Sequence, residues 1–430
     1  MRATTSSLTL LSIVIPLASQ VQAASKPSAA IPFSPGFDIE AVVAQAVSLP
    51  SHSWEFGTAS EALLELFDGP ISVYGAHPFP VPKVAPAKSQ SLTYAQSKIV
   101  IGTPPNGLSD GDGAAGDPAS LGVSAVLLGK TNATFAAAAT AEAEYLVSQV
   151  PRFWNGAISH RALYAELWAD SMYMVPPFLA YYGVATNNAS FLQTAVQQVS
   201  LYRDILIANT TAGAVSPPST HSPNATGLWT HILGPVSTDP GIWSTGNAWA
   251  AGGATRVLAT LVKAPSTLFT GKPSPAHPTE QWRAQGVASL VKVISDILDG
   301  ATRAQLDSGL LHSYIDDPTW FGEISGSSLL AATAYRLTTL SNEGLLGKST
   351  LSKATAAKYI SFAEGIRTTL ATGDHIVNGT ATPAINPLNW FDHTPFTTGS
   401  PEGNNFVVLL YAAWRDCVLA GVKGCKRPSH

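Results

Sequence analysis

The densest run of candidate chemistry is the segment 166–178, which reads ELWADSMYMVPPF. It contains two acids, Glu166 and Asp170, and Asp170 is the one flanked by aromatic and sulfur-containing side chains. Pro176 and Pro177 disfavour a continuous helix but fit the first turn of a new one, so Asp170 is expected near a helix start. There it either caps the helix or points into an apolar cavity. In a cavity, desolvation would raise the pKa of the carboxyl and let it exchange protons near neutral pH.

A second cluster combines tryptophans with polar residues. Trp229 and His231 stand in one block, and Trp243, Asn247 and Trp249 stand in the next. Trp243 and Trp249 are six positions apart and suit a sugar platform, because pyranose C–H groups pack on indole rings while polar neighbours bind hydroxyls. The same pair also suits a protein core. His231 is either a donor to a ligand hydroxyl or carboxylate, or a buried histidine with protein partners.

Other sequence signatures of catalysis are missing. The chain has no His-Glu-x-x-His zinc motif and no Gly-x-x-x-x-Gly-Lys-Ser/Thr phosphate loop. The stretch 110–113 (DGDG) hints at calcium, but Leu121 stands where the twelfth position of a calcium loop requires Glu. With two cysteines and scattered histidines, a structural zinc site is not expected either.

The elements that must position these residues are helices. Apolar residues recur every three to four positions in many segments, whereas few stretches alternate with the period of two that is typical of strands. The predicted helices are 36–49, 57–67, 89–98, 118–129, 133–149, 172–184, 189–208, 245–263, 280–299, 322–341, 352–371 and 402–420. Small residues crowd 246–254, which either lets helices approach closely or simply makes an alanine-rich helix.

Long loops rich in proline, glycine and serine separate the helices, at 68–86, 212–227, 265–278 and 372–401. Loops of this length are usually functional rims or disordered. Because no linker-like change of composition divides the chain, residues 24–430 are predicted to form a single all-α domain. A dozen helices fit a ring of paired helices, and a solenoid of helical hairpins is the alternative.

Composition restricts the class of protein. The 430 residues are 45% hydrophobic and 12% charged, with a formal net charge of −4. This is enough apolar material for a large core, and the slight excess of acids disfavours a nucleic-acid partner.

Residues 1–23 have the pattern of a secretory signal peptide, with Arg2 near the start, an apolar stretch at 8–18 and a small-x-small cleavage site ending at Ala23. That stretch is too short to span a membrane, and no later segment qualifies.

The signal peptide predicts a secreted, extracellular glycoprotein. Five Asn-x-Ser/Thr sequons begin at Asn132, Asn188, Asn209, Asn224 and Asn378. Cys417 and Cys425 form an even pair that an oxidising compartment would bridge, although the sequence leaves open whether they are bonded.

Six blocks of the chain, in order, resemble the unsaturated uronyl hydrolases. The closest likeness is to glycoside hydrolase family 105, the unsaturated rhamnogalacturonyl hydrolases, with family 88 a near relative. The blocks are 116–118 (GDP), 151–161 (PR, then SHR), 167–174 (LWADSMYM), 227–231 (GLWTH), 243–249 (WSTGNAW) and 321–327 (FGEISGS). The resemblance covers most of the mature chain. It implies an (α/α)6 barrel, which agrees with the helix count, and no metal or nucleotide cofactor.

The resemblance also implies a reaction and a set of site residues. Family members hydrate the C4–C5 double bond of an unsaturated uronic acid left by a polysaccharide lyase, and the product opens and releases the neighbouring sugar. Asp170 is implied as the general acid/base, which protonates the vinyl ether carbon and helps water attack C5. Asp117 matches a second acid beside it, and two close carboxyls are expected to share a proton. The positions that match the substrate pocket are His160, Met174, His231, Trp243 and Trp249.

One position departs from the family pattern. Family members usually carry an Arg between the first Trp and the Gly of the double-tryptophan block, and this chain has Thr245 there. Arg suits a carboxylate through its charge and its fork geometry, whereas Thr does not. Either Arg152, Arg161 or Arg256 takes over the contact to the uronate, or the substrate is different.

Three functions are compatible with these residues. The favoured one is a secreted hydrolase of unsaturated pectin or rhamnogalacturonan oligosaccharides. The others are a glycosidase on a saturated glycan, and a non-catalytic carbohydrate-binding protein that kept the same barrel. The fold does not choose among them, so the choice depends on the residues of the site.

Overall fold

A computed structural model describes residues 29–208, 225–270 and 278–427. The predicted signal peptide and the sequons at Asn209 and Asn224 lie outside these residues. Twelve α-helices occur in the described ranges, which confirms the helical prediction. They are α1 (Ile39–Ser48), α2 (Ser53–Phe67), α3 (Gln90–Lys98), α4 (Gly122–Gly129), α5 (Ala133–Ser148), α6 (Ser171–Ala185), α7 (Ala189–Leu206), α8 (Ser244–Lys263), α9 (Glu280–Arg303), α10 (Ile324–Asn342), α11 (Lys353–Thr372) and α12 (Pro401–Leu419).

The even-numbered helices form a closed inner ring. Each of these helices contacts the next one around the ring, and α12 contacts α2 and so closes the ring. A short 3-10 helix at Asp117–Leu121 precedes α4 and contacts both α2 and α6. The odd-numbered helices pack outside, with α1 against α12 and each of the others against the even-numbered helix beside it. This architecture is an (α/α)6 barrel. The contact of α12 with α2 excludes the open solenoid.

Burial follows the two layers. In α6, α8 and α10 almost every residue is buried, because an inner helix has neighbours on all sides. The outer helices bury one stripe and expose the other, as in α9. Most helices begin at a side chain that accepts a hydrogen bond from the first turn, for example Asp38 in α1 and Ser400 in α12.

The helix α6 matches the predicted segment 172–184, but its two prolines lie deeper in the helix than expected. Pro176 and Pro177 were expected in the first turn of a helix, but α6 begins at Ser171 and runs through both of them. Each proline removes a backbone donor from the helix interior. Because every residue from 171 to 184 is buried, packing against the neighbouring inner helices compensates for the lost hydrogen bonds.

Small residues let the inner helices approach closely. A Cβ added to Gly253 of α8 would lie 1.9 Å from the carbonyl oxygen of Met172 in α6. A Cβ on Gly326 of α10 would lie 2.5 Å from Oγ of Ser244, at the start of α8. Of the two interpretations of the small-residue segment, close helix approach is therefore correct.

In the residues that the structure describes, seven two-residue strands join the helices at one end of the barrel. The strands β1 (Leu167–Trp168), β2 (Ile232–Leu233) and β3 (Thr238–Asp239) form one antiparallel sheet, while β4 (Leu306–Asp307) with β5 (Leu310–Leu311) and β6 (Ile376–Val377) with β7 (Thr380–Ala381) form hairpins. All of them occur where the chain passes from an outer helix to the next inner helix, so they lie where the inner helices begin.

Two further features are a disulfide bond and the hydrophobicity of the helices. Cys417 of α12 is bonded to Cys425, which answers the question that the sequence left open. Within the described part of the chain, no helix combines the length and the hydrophobicity that crossing a membrane requires.

Candidate active site

A cavity of about 250 Å³ lies at the barrel end where the inner helices begin. Its wall collects residues from the starts of α2, α6, α8 and α12, from the 3-10 helix before α4 and from the loop before α12. Six of the seven sequence-predicted site residues line it: Asp117, His160, Asp170, Met174, His231 and Trp243.

Asp170 precedes α6 but does not cap it. Its side chain makes no hydrogen bond to the first turn of the helix. Its Oδ2 instead lies 3.3 Å from Nε2 of His231, and the side chain is 15% exposed in the cavity wall. Of the two alternatives for Asp170, the cavity is therefore the correct one.

His231 is held between two carboxylates. Its Nδ1 lies 2.8 Å from Oδ2 of Asp239, which also accepts a hydrogen bond from the hydroxyl of Tyr314. Burial lowers the pKa of His231, but Asp170 and Asp239 outweigh burial and raise this pKa to about 9. His231 is therefore an imidazolium at neutral pH, with one N–H directed to Asp239 and the other facing Asp170.

Asp117 is the carboxyl that holds a proton. It opens the 3-10 helix before α4 and is buried. Burial, and next the charge of Asp170, raise its pKa to about 8, while Arg161 acts in the opposite direction. At neutral pH Asp117 therefore keeps its proton.

His160 supplies a neutral imidazole beside this pair. Its Nδ1 lies 2.9 Å from Oγ of Ser171 and 3.9 Å from Oδ1 of Asp117. Burial lowers the pKa of His160 to about 3, so the ring is uncharged at any pH near neutrality. His160 therefore contributes a polar ring to the wall without adding a second positive charge.

Aromatic rings form much of the remaining wall. The His160 ring stacks on Trp168 with centroids 4.6 Å apart, and Trp390 meets Trp168 edge to face at 5.4 Å. Trp243 lies 4.3 Å from the His231 ring. A cavity with aromatic walls and a few polar groups suits a sugar ring.

Trp249 does not line this cavity, which corrects the expectation that it binds substrate. It is fully buried, between Tyr173 at 4.8 Å and Phe406 at 4.5 Å. Residues six positions apart on a helix point about 120° apart, so Trp243 and Trp249 do not share a face. Asn247, between them, is bonded to the backbone of Trp229 at 2.8 and 2.9 Å and is not available to a sugar hydroxyl.

We therefore expect Trp249→Ala to act on stability. The substitution leaves a cavity in the core and should lower the free energy of unfolding by about 3–5 kcal/mol. Trp249→Phe should cost less and keep KM for substrate close to the wild-type value. Urea denaturation and steady-state kinetics measure the two effects, and a large rise in KM for folded Trp249→Phe would contradict the core assignment.

Among the three candidate arginines, Arg161 is the one in the cavity wall. Its guanidinium carbon lies 5.2 Å from the centre of the Trp168 ring, and its buried Nε has no hydrogen-bond partner among the described residues. Arg152 donates to the carbonyl oxygens of Gly156 and of Val147 in α5, and Arg256 is paired with Glu61 at 2.7 Å in the barrel core. Thr245 is fully buried and lies 3.3 Å from a Glu323 oxygen, away from the cavity.

Several wall residues were not predicted from the sequence. Glu402 of α12 is buried, and its Oε1 accepts a hydrogen bond of 3.1 Å from Nε1–H of Trp54 in α2. Burial, and next the charge of Asp170, raise the pKa of Glu402 well above its usual range. Trp390 comes from the long loop 372–401, whose length did indicate a functional rim. No comparable sequence signal marks Glu402, since an acid in the first turn is common in any helix.

The acidic loop 110–113 shows no sign of a metal centre. The backbone N–H of Asp112 donates to Oδ1 of Asp110 at 3.1 Å, an ordinary loop contact. In the described ranges no group of three or more His, Cys, Asp or Glu residues is placed to hold a metal ion.

Known proteins resemble this chain in sequence and in fold. The model of Glycosyl Hydrolase Family 88 matches residues 125–381, more than half of the chain. The unsaturated rhamnogalacturonyl hydrolase YesR of Bacillus subtilis (strain 168) is 25% identical over 199 residues, which are 44% of this chain and 48% of that protein. This chain thus matches about half the length of YesR.

Two solved structures share the fold. One is a possible member of the GH105 family from Salmonella enterica serovar Paratyphi A, with 15% identity, a TM-score of 0.61 and coverage of 94% of this chain and 100% of that chain. The other is the unsaturated glucuronyl hydrolase of Bacillus sp. GL1, with 13% identity, a TM-score of 0.54 and coverage of 91% and 98%. Identities this low show the (α/α)6 barrel and leave the chemistry to the residues of the site.

Proposed function

Because the chain belongs to Glycosyl Hydrolase Family 88, we propose that it hydrates the C4–C5 double bond of unsaturated uronyl oligosaccharides derived from pectin or rhamnogalacturonan. The observation that carries the proposal is the arrangement around Asp170. This carboxyl faces the positive His231 on one side and shares the cavity with the protonated Asp117. Such a pair can deliver one proton and take it back.

The proposed mechanism conserves that proton. The proton that Asp117 holds at rest passes to Asp170, which gives it to C4 of the vinyl ether, and His231 stabilises the carboxylate that Asp170 becomes again. The cation that develops at C5 is attacked by water, and the proton of this water returns to Asp170. The hemiketal at C5 then opens and the neighbouring sugar leaves. Asp170 then passes the proton back to Asp117, so both carboxyls end in the state in which they began.

Arg161 is proposed to bind the uronate carboxylate in place of the family Arg that Thr245 replaces. Arg161→Gln should raise KM about 10-fold to 100-fold with a smaller change in kcat, because a hydrogen bond to a charged group contributes about 1.5–3 kcal/mol. Arg161→Lys should recover part of the loss, since it keeps the charge without the fork. Arg152→Gln, outside the cavity, is the matched control, and an unchanged KM in Arg161→Gln would remove Arg161 from this role.

The reaction itself is tested with an oligosaccharide made by a polysaccharide lyase. The proposal expects the purified protein to abolish the enoate absorbance of this substrate. Retained absorbance together with hydrolysis of a saturated pectic oligosaccharide would support a glycosidase. This alternative is kept because Thr245 replaces the family Arg that suits a uronate carboxylate. Binding without turnover of either substrate would indicate a carbohydrate-binding protein.

We also propose that the protein is exported and glycosylated. The three sequons in the described residues, at Asn132, Asn188 and Asn378, are all exposed. The disulfide between Cys417 and Cys425 suits an oxidising compartment. Enzymatic deglycosylation of the protein from its native medium should increase its electrophoretic mobility, and Asn→Gln substitutions at the three positions should do the same.

A further inference from the structure

Glu402 has one carboxyl oxygen that the protein leaves without a partner. The residue is the second of α12, is 2% exposed and belongs to the cavity wall. Its Oε1 accepts the N–H of Trp54. Its Oε2 is buried and has no hydrogen-bond partner within the described residues. Buried polar atoms are usually bonded, so an unbonded one in a cavity wall points to a ligand.

The surroundings of Glu402 determine which form of the carboxyl is present. The charged groups with the largest effect on its pKa are Asp170 of α6, Glu55 of α2 and Glu323 at the start of α10, and all three are acidic. The basic residues Arg161 and His231 lie in the same cavity wall and act in the opposite direction. Burial and the three acidic neighbours favour the neutral acid, and the N–H of Trp54 opposes them only weakly. A neutral carboxyl has a single O–H. Because Oε1 is the acceptor for Trp54, the proton resides on Oε2.

We infer that Glu402 is a substrate-binding residue whose Oε2–H donates a hydrogen bond to an acceptor oxygen of the sugar in the cavity. The inference rests on the proposed function, since this sugar is the one on which Asp170 acts. It also explains how a wall with four acids, Asp112, Asp117, Asp170 and Glu402, accepts an anionic uronate. An ionised Glu402 would repel that substrate, whereas a neutral one attracts any oxygen acceptor.

Two substitutions of Glu402 separate the neutral donor from an ionised group. Glu402→Leu keeps the approximate shape without a donor, and KM for the unsaturated oligosaccharide should rise at least about tenfold, with kcat changed less. Glu402→Gln restores both contacts, because its oxygen accepts from Trp54 while its amide N–H replaces the O–H. KM of Glu402→Gln should lie within about threefold of wild type. Thermal melting identifies any variant that has not folded.

The pH dependence supplies a second measurement that does not require Glu402→Leu to fold. In the wild type, KM should rise at alkaline pH as Glu402 loses its proton. Asp117 and His231 also titrate above neutral pH and should affect both proteins alike, so the rise in KM should be smaller in Glu402→Gln than in the wild type. Identical profiles for the two proteins would overturn the inference. So would an unchanged KM in folded Glu402→Leu, or a loss of kcat in Glu402→Gln as large as in Asp170→Asn, which would make Glu402 an ionised base.

Failure of the proposed function would look different. In that case the wild type itself would leave the unsaturated oligosaccharide intact. Titration calorimetry with the same oligosaccharide would then compare wild type, Glu402→Gln and Glu402→Leu. Weaker binding in Glu402→Leu alone would support the donor role, and equal binding in all three would overturn it.

Discussion

Asp170→Asn is expected to lower kcat on an unsaturated oligosaccharide by about 10²–10⁴-fold, the usual contribution of a positioned proton donor. Asn has nearly the shape of Asp but neither gives nor takes a proton. The fold should survive, because the Asp170 side chain does not cap α6 and is partly exposed in the cavity. His231 loses one of the two carboxylates that raise its pKa, so the pKa of His231 should fall below about 9.

A matched control for this variant is Asp204→Asn on the outer helix α7, where the Asp204 side chain is 62% exposed and far from the chemistry. It should keep wild-type kcat. Progress curves of enoate absorbance give kcat for each protein, and circular dichroism confirms folding. Turnover by Asp170→Asn near the wild-type rate would exclude Asp170 as the acid/base.

Asp117→Asn is expected to change stability and activity in opposite directions. The pKa of Asp117 is 3.8 as an ordinary carboxyl and about 8 in the folded protein. At pH 7 the unfolded chain must therefore take up a proton when it folds, and this requirement lowers the stability of the wild type. Asn needs no proton, so the free energy of unfolding at pH 7 should rise by up to about 4 kcal/mol. The same variant should lose activity, because the shared proton is gone.

The sign of this effect is set by the raised pKa. The stabilising contribution of Asp117 is fully present below about pH 4, where the carboxyl is protonated in both states. It is lost as the pH rises toward 8. Asp117→Asn should therefore match the wild type below about pH 4 and exceed it increasingly up to pH 8. Urea denaturation at several pH values measures the difference, and equal stabilities at pH 7 would mean that Asp117 is ionised.

The helices could be predicted because an outer helix such as α9 buries a single stripe, which leaves a clear period in the sequence. The inner helices show a weaker period of apolar residues, because they are buried on nearly all sides. The helix α6 is buried throughout and contains two prolines, so local rules favour a break that tertiary packing prevents. The closure of the ring is a contact between α2 and α12, which no local pattern records.

Some residues of the candidate site could be predicted from the sequence and others could not. Asp117, Asp170 and His231 stand in recognisable blocks of the sequence, and the structure brings them to one cavity. Trp249 stands in such a block too, but the helical rotation between it and Trp243 turns it into the core. Glu402 reaches the cavity only because the last inner helix packs beside the first, so its sequence neighbourhood carries no signal of its role.

The hydrogen bond between Trp54 and Glu402 joins residues 348 positions apart. During synthesis α2 leaves the ribosome long before α12. The face of α2 that packs against α12 therefore stays uncovered until most of the chain has been made. Pairing such distant segments carries a large loop-closure entropy, which slows the final assembly step. The cavity is therefore complete only after this final assembly step. A fragment that stops short of α12 would lack Glu402 and the contact that closes the ring, and we expect no activity from it.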